Sequence, residues 1–76
     1  MKKWCMRVKN KGAADEDAWW EECSWCDGRE TEEEARRQAV ACVRWFNDTL
    51  RSGEVERVVI GLKEKKNMTK EDWEPK

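Results

Sequence analysis

Residues 31–50, TEEEARRQAVACVRWFNDTL, carry a complete set of helix signals, and their reading decides the fold. Thr31 is a favourable N-cap, and Glu34 three positions later completes a capping box in which each side chain satisfies an orphan amide of the other. Glu32, Glu33 and Glu34 place negative charge against the positive end of the helix dipole. Ala35, Ala39, Cys42, Val43, Phe46 and Leu50 recur at three- and four-residue steps and so share one face. At the far end Arg51 suits the negative terminus, and Ser52-Gly53 supplies a residue able to close the helix in the left-handed conformation. A rod of roughly 30 Å with one apolar stripe needs a partner of similar length.

That partner is predicted to be a sheet. In Lys3 to Lys9, KWCMRVK, Trp4, Met6 and Val8 alternate with Lys3, Cys5, Arg7 and Lys9, the period of a half-buried strand. Asn10 to Asp17, NKGAADED, is turn-rich and acidic, with Gly12 as the expected positive-φ position. Ala18 to Cys26, AWWEECSWC, reads as a second strand on its aromatic content, with Trp19, Cys23 and Trp25 assigned to the core and Trp20, Ser24 and Cys26 to the other side. Glu54 to Leu62, EVERVVIGL, alternates again, with Val58, Ile60 and Leu62 inward and Val55, Arg57, Val59 and Gly61 outward. The expected fold class is α+β: a single three-stranded antiparallel sheet, β-β-α-β in order 2-1-3, with one helix packed on one face. Residues 1–62 form the domain. Residues 63–76 form a charged, flexible tail, in which Thr69 to Trp73 can make one capped turn that tucks Trp73 against the body.

Composition narrows the functional classes. The chain has 76 residues, six of them Trp, and its 16 basic and 17 acidic residues nearly cancel, so no global field favours nucleic acid or membrane. No apolar run spans a bilayer, and the start MKKWCMRVK lacks the apolar core of a signal peptide, which reads as cytoplasmic. There is no His. Its absence removes the usual general base, the Ser-His and Cys-His nucleophile pairs and mixed Cys/His metal sites, and the expectation is a non-enzymatic protein without a cofactor.

One helix covers one side of the sheet. The other side is predicted to display Lys3, Cys5, Arg7 and Lys9 from the first strand, Trp20 from the second, and Arg57 and Val59 from the third. An aromatic and apolar patch rimmed by charge suits a protein interface, a homodimer included. The same residues offer a stacking platform flanked by cations for single-stranded nucleic acid, against which stand Glu22 and the acidic loop. The structural alternative is that Lys and Arg stems simply cover Trp20.

Cys23-Ser24-Trp25-Cys26 is a CxxC motif. With Cys5 and Cys42 it has the composition of a four-thiolate zinc site, but on a regular strand Cys23 and Cys26 face opposite ways, and strong zinc signals have two such pairs. The plainer reading makes Cys23 and Cys42 small core residues.

The segment EEEARRQAVACVRWFNDTL after a Trp- and Cys-rich strand resembles small phage- or prophage-type proteins of strand-strand-helix-strand layout. The resemblance covers residues 3–62, implies an accessory or host-interaction role, and carries no functional residue across.

Overall fold

Strand β1 (Trp4–Asn10) follows the predicted alternation: Trp4, Met6 and Val8 point to one side and are buried there. This holds in the computed structural model, which describes residues 1–74. β1 pairs antiparallel with β2 (Trp19–Glu22) on one edge and with β3 (Arg57–Glu64) on the other, giving the order β2-β1-β3. Helix α1 (Glu32–Asp48) lies across the face that carries Trp4, Met6 and Val8. The predicted α+β fold and strand order are therefore those of the protein.

The division of labour between the two layers follows side-chain size. The buried residues of α1 are Ala35, Ala39 and Val43, small enough to let the helix approach closely, while the sheet supplies the bulk through Trp4 and Met6. Trp19, Cys42, Val59 and Leu62 pack around this centre. Trp4 also satisfies its polar handle, since its indole Nε1–H donates to the Arg29 carbonyl at 3.0 Å. Thr31 caps α1 as expected, its hydroxyl accepting from the Glu34 amide at 3.2 Å. The full reciprocal box occurs instead at the short helix α2 (Lys70–Trp73), between Thr69 and Asp72.

The end of α1 departs from expectation. The helix stops at Thr49, which stays right-handed, and its hydroxyl donates to the Phe46 carbonyl at 2.8 Å. Gly53, at φ 93°, occupies the turn closed by the Glu54 amide on the Arg51 carbonyl, a position where a β-turn demands positive φ. The join between α1 and β3 is made by Asn47. Its amide donates to the Arg57 carbonyl and its carbonyl oxygen accepts from the Arg57 amide, both at 2.8 Å, so one side chain mimics a strand neighbour. Asn47→Ala strands both backbone groups at a half-buried position and is expected to cost about 1–3 kcal/mol. Asn47→Asp, which keeps only the acceptor, should fall between the two in chemical denaturation.

Three register assignments are corrected. β2 ends at Glu22, and Ser24–Cys26 form a 3₁₀ turn, so the alternation assumed through Cys26 stops early. Trp25 is consequently 41% exposed and not in the core, whereas Cys23 and Cys26 are both buried. β3 begins at Arg57 and carries a bulge: Arg7 faces Gly61 while Val8 faces Val59. The extra residue reverses the phase before it. Val59 and Leu62 therefore both pack on the core, and Arg57, two residues before Val59, turns to the helix side as well.

Beyond Leu62, β3 continues through Lys63 and Glu64, followed by a 3₁₀ turn at Lys65–Asn67 and then α2. The Lys65 amide donates to the Lys3 carbonyl at 2.8 Å, and α2 packs beside β2. The segment expected as a charged tail thus carries secondary structure up to Trp73, and its last two positions, 75 and 76, lie outside the described residues.

Candidate functional site

The seven residues assigned to the open sheet face separate into two groups. Lys3, Cys5, Arg7, Lys9 and Trp20 do lie on the side away from α1. Arg57 and Val59 do not, because of the β3 bulge. The Arg57 guanidinium carbon sits 4.9 Å from the ring centroids of both Trp19 and Phe46, and its Nε donates to Asn10 Oδ1 at 3.2 Å. Arg57 is a cation–π bridge that closes one end of the helix–sheet contact.

The open face itself is largely engaged by the chain. Cys5 is 0% exposed: its neighbours across the ladder are Glu22 and Lys63, and Glu22 forms an ion pair with Lys65 that reaches across β1. Burial, then the Glu22 carboxylate, pushes the Cys5 thiol up. Arg7 donates to the Asp15 carbonyl at 3.1 Å, and Lys9 donates to Asp15 Oδ1 at 2.7 Å and to the Ala13 carbonyl at 2.8 Å. These two cations fasten the β1–β2 loop. Trp20 extends over β1 towards β3, where Gly61 leaves room for its ring, and Lys63 lies 5.8 Å from that ring while pairing with Asp72 at 3.1 Å. Lys3 alone of the set projects into solvent without a partner among the described residues. Between β2 and α2 lies a cleft of about 560 Å³, among whose described lining residues Glu16, Asp17, Glu71, Asp72 and Glu74 outnumber the cation Arg7.

Three carboxylates on this side are held below their ordinary range. Asp15 is lowered by its hydrogen bond to Lys9, Glu22 by its hydrogen bond to Lys65, and Asp72 by the Thr69 amide and then by Lys63. A depressed folded pKa contributes stability that is present above the unfolded value and lost as pH falls through the folded one. Lowering the pH from ~6 to below ~3 is expected to reduce the thermal midpoint and release α2 from the sheet. High salt at neutral pH should weaken the same contacts, most at the exposed Asp15 and Glu22 and less at the half-buried Asp72. Melting curves across that range, read against Asp72→Asn, check the assignment.

The opposite side of the molecule offers something the sequence reading placed in the core. Trp25, on the 3₁₀ turn, and Trp45, on α1, meet with ring centroids 6.2 Å apart and planes inclined by 44°. Trp25 is 41% and Trp45 58% exposed, so the pair forms one aromatic surface where the turn crosses the helix. Ala41, Trp45, Asp48 and Thr49 recur at helical spacing and give the pair a mixed small and polar surround. Trp45 lies beside Phe46 at the edge of the α1 apolar stripe, and Trp25 is brought to it by the 3₁₀ turn that replaces the expected end of β2.

Beneath this surface lie three thiols. The 3₁₀ turn is closed by the Cys26 amide on the Cys23 carbonyl at 3.1 Å, which brings Cys23 and Cys26 Sγ within 2.6 Å. The expectation that they face opposite ways is corrected. The Cys26 sulfur also lies 3.3 Å from the Ala35 carbonyl, and Cys42 of α1 packs against the same core. Hydrogen bonds from the Cys26 thiol first, then from the Cys26 amide, favour the Cys23 thiolate. Cys26 is held protonated by that bond, and burial pushes Cys42 up to about 11. Cys5 lies on the other face of β1, and no group of three or more His, Cys, Asp or Glu among the described residues is placed to hold a metal ion. Nor, among those residues, is any helix long and apolar enough to cross a membrane. No protein-family profile matches the chain, and neither a curated protein nor a solved structure does.

Proposed function

We propose that this chain is a non-enzymatic protein-interaction module whose contact surface is centred on Trp25 and Trp45, and that its partner is a second copy of itself. The observation that carries this reading is the adjacency of two large, half-exposed indoles outside the core. Trp is the residue type most enriched among interface hot spots, because a rigid ring removes much apolar area from water at small entropic cost. Self-association has two further supports. A 76-residue chain has a modest core, and its largest fully buried side chains are only Val8, Cys5, Cys23 and Cys26, so a dimer contact supplies burial the monomer lacks. A net charge of −1 puts little repulsion between copies.

The open sheet face is the weaker candidate, because Arg7, Lys9 and Lys63 are already paired within the chain. A single-stranded nucleic acid has to displace those pairs and pass an acidic rim. A phage-type accessory role, which the resemblance in layout implies, is compatible with a small self-associating module. Light scattering of the wild-type chain and of Trp45→Ala tests the reading: the first is expected to run as a dimer, the second as a folded monomer.

A further inference from the structure

We infer that Cys23 and Cys26 are a redox-active dithiol, converted to an intramolecular disulfide by small aliphatic disulfides such as oxidised glutathione, with Cys42 left outside the bond as a free thiol. The inference rests on geometry and stands apart from the self-association reading. The two sulfurs are 2.6 Å apart, against about 2.0 Å for a disulfide bond. The turn that brings them together is fixed by its own backbone hydrogen bond, so little rearrangement separates dithiol from disulfide. Two thiols placed for metal binding stand farther apart around a shared ion, and no third ligand is placed to complete such a site among the described residues.

The two cysteines have different roles. Cys23 accepts the hydrogen bond of the Cys26 thiol, which favours its thiolate and makes it the attacking group. Its thiolate attacks one sulfur of the oxidant R–S–S–R, forming a Cys23 mixed disulfide and expelling RS⁻. The Cys26 thiol then gives up its proton, and its sulfur attacks the Cys23 sulfur, breaking the mixed disulfide and expelling the second RS⁻. Two electrons pass to the oxidant, and the protons of Cys23 and Cys26 end on the two released thiols. Both sulfurs are shielded from solvent, so the oxidant enters when the short 23–29 segment opens. Burial therefore sets the rate and leaves the equilibrium to the geometry. The bond locks the turn that carries Trp25.

The test uses the reduced full-length chain. It is equilibrated at neutral pH with mixtures of reduced and oxidised glutathione, quenched in acid, alkylated in denaturant and analysed by intact mass and peptide mapping. The expected result is alkylation at Cys5 and Cys42 only, with Cys23 and Cys26 joined, and full recovery of all four thiols after dithiothreitol. Cys26→Ser is expected to trap glutathione on Cys23, and Cys42→Ala to form the same Cys23–Cys26 bond. Alkylation of all four cysteines in the most oxidising mixture overturns the inference, as does a bond that joins Cys42 or Cys5. The wild-type measurement decides the matter even if a variant fails to fold.

Discussion

Trp4→Ala is expected to remove a large share of the chain's stability. Trp4 is 5% exposed, at the centre of the contact between β1 and the Ala35–Ala39–Val43 stripe of α1. Truncating a buried Trp to Ala costs roughly 3–5 kcal/mol, through lost transfer free energy and the cavity left behind. Against this stands a total stability of about 4–11 kcal/mol for a chain of this length. Small residues on the helix limit how far the site can collapse, which puts the loss towards the upper end. Trp4→Phe keeps most of the ring but gives up the hydrogen bond to the Arg29 carbonyl, and should cost only about 1–2 kcal/mol. Urea titration of the two variants separates packing from the polar contact. Equal losses would place the weight on the hydrogen bond, and near-wild-type behaviour of Trp4→Ala would contradict the packing described.

The second large effect concerns association and leaves the fold alone. Trp45 lies beside Trp25 outside the core and is more than half exposed, so Trp45→Ala removes little from the monomer's core. Within a dimer the same truncation at a central indole costs about 2–4 kcal/mol, a weakening of roughly 30- to 700-fold. Trp25→Ala should act in the same direction. The double variant should lose less than the sum, because the rings touch and share one contact. Trp73, 43% exposed on α2, gives the control. If Trp73→Ala breaks association and Trp45→Ala does not, the contact lies on the sheet side, where Trp20 and Lys3 are.

The strand order and the helix were legible because both rest on periodicity over long stretches. The alternation of Trp4, Met6 and Val8 and the three- and four-residue steps from Ala35 to Val43 each repeat often enough to fix a face. What failed failed locally. In Cys23-Ser24-Trp25-Cys26 the decisive interaction is one backbone hydrogen bond from Cys26 to Cys23, which leaves no trace in hydropathy. It moved Trp25 outward, and Cys26 inward beside Cys23. In Arg57-Val58-Val59-Ile60, three apolar residues in a row carry no phase, so a bulge there is invisible, and Arg57 and Val59 were given the wrong side. Cys5 was placed on the correct side of β1, but its burial depends on Glu22 and on Lys65, a contact set by where the chain goes after the sheet. Gly61 is the one local sign of that crowding, since a larger residue there meets Arg7 and the tip of the Trp20 ring.

Five of the six tryptophans therefore divide by role. Trp4 builds the core, Trp19 packs on it under Arg57, and Trp20 lines the sheet beneath the returning C-terminal segment. Trp25 and Trp45 contribute little to that framework and face solvent together, and the functional reading rests on this pair. Sedimentation equilibrium over a wide range of concentration, on wild type, Trp45→Ala and Trp73→Ala, tests it most directly. The wild type is expected to be a reversible dimer, Trp45→Ala a monomer with an unchanged far-ultraviolet circular dichroism spectrum, and Trp73→Ala a chain that dimerises as the wild type does. A wild-type chain that stays monomeric at the highest concentrations, or a dimer indifferent to Trp45→Ala, would contradict it.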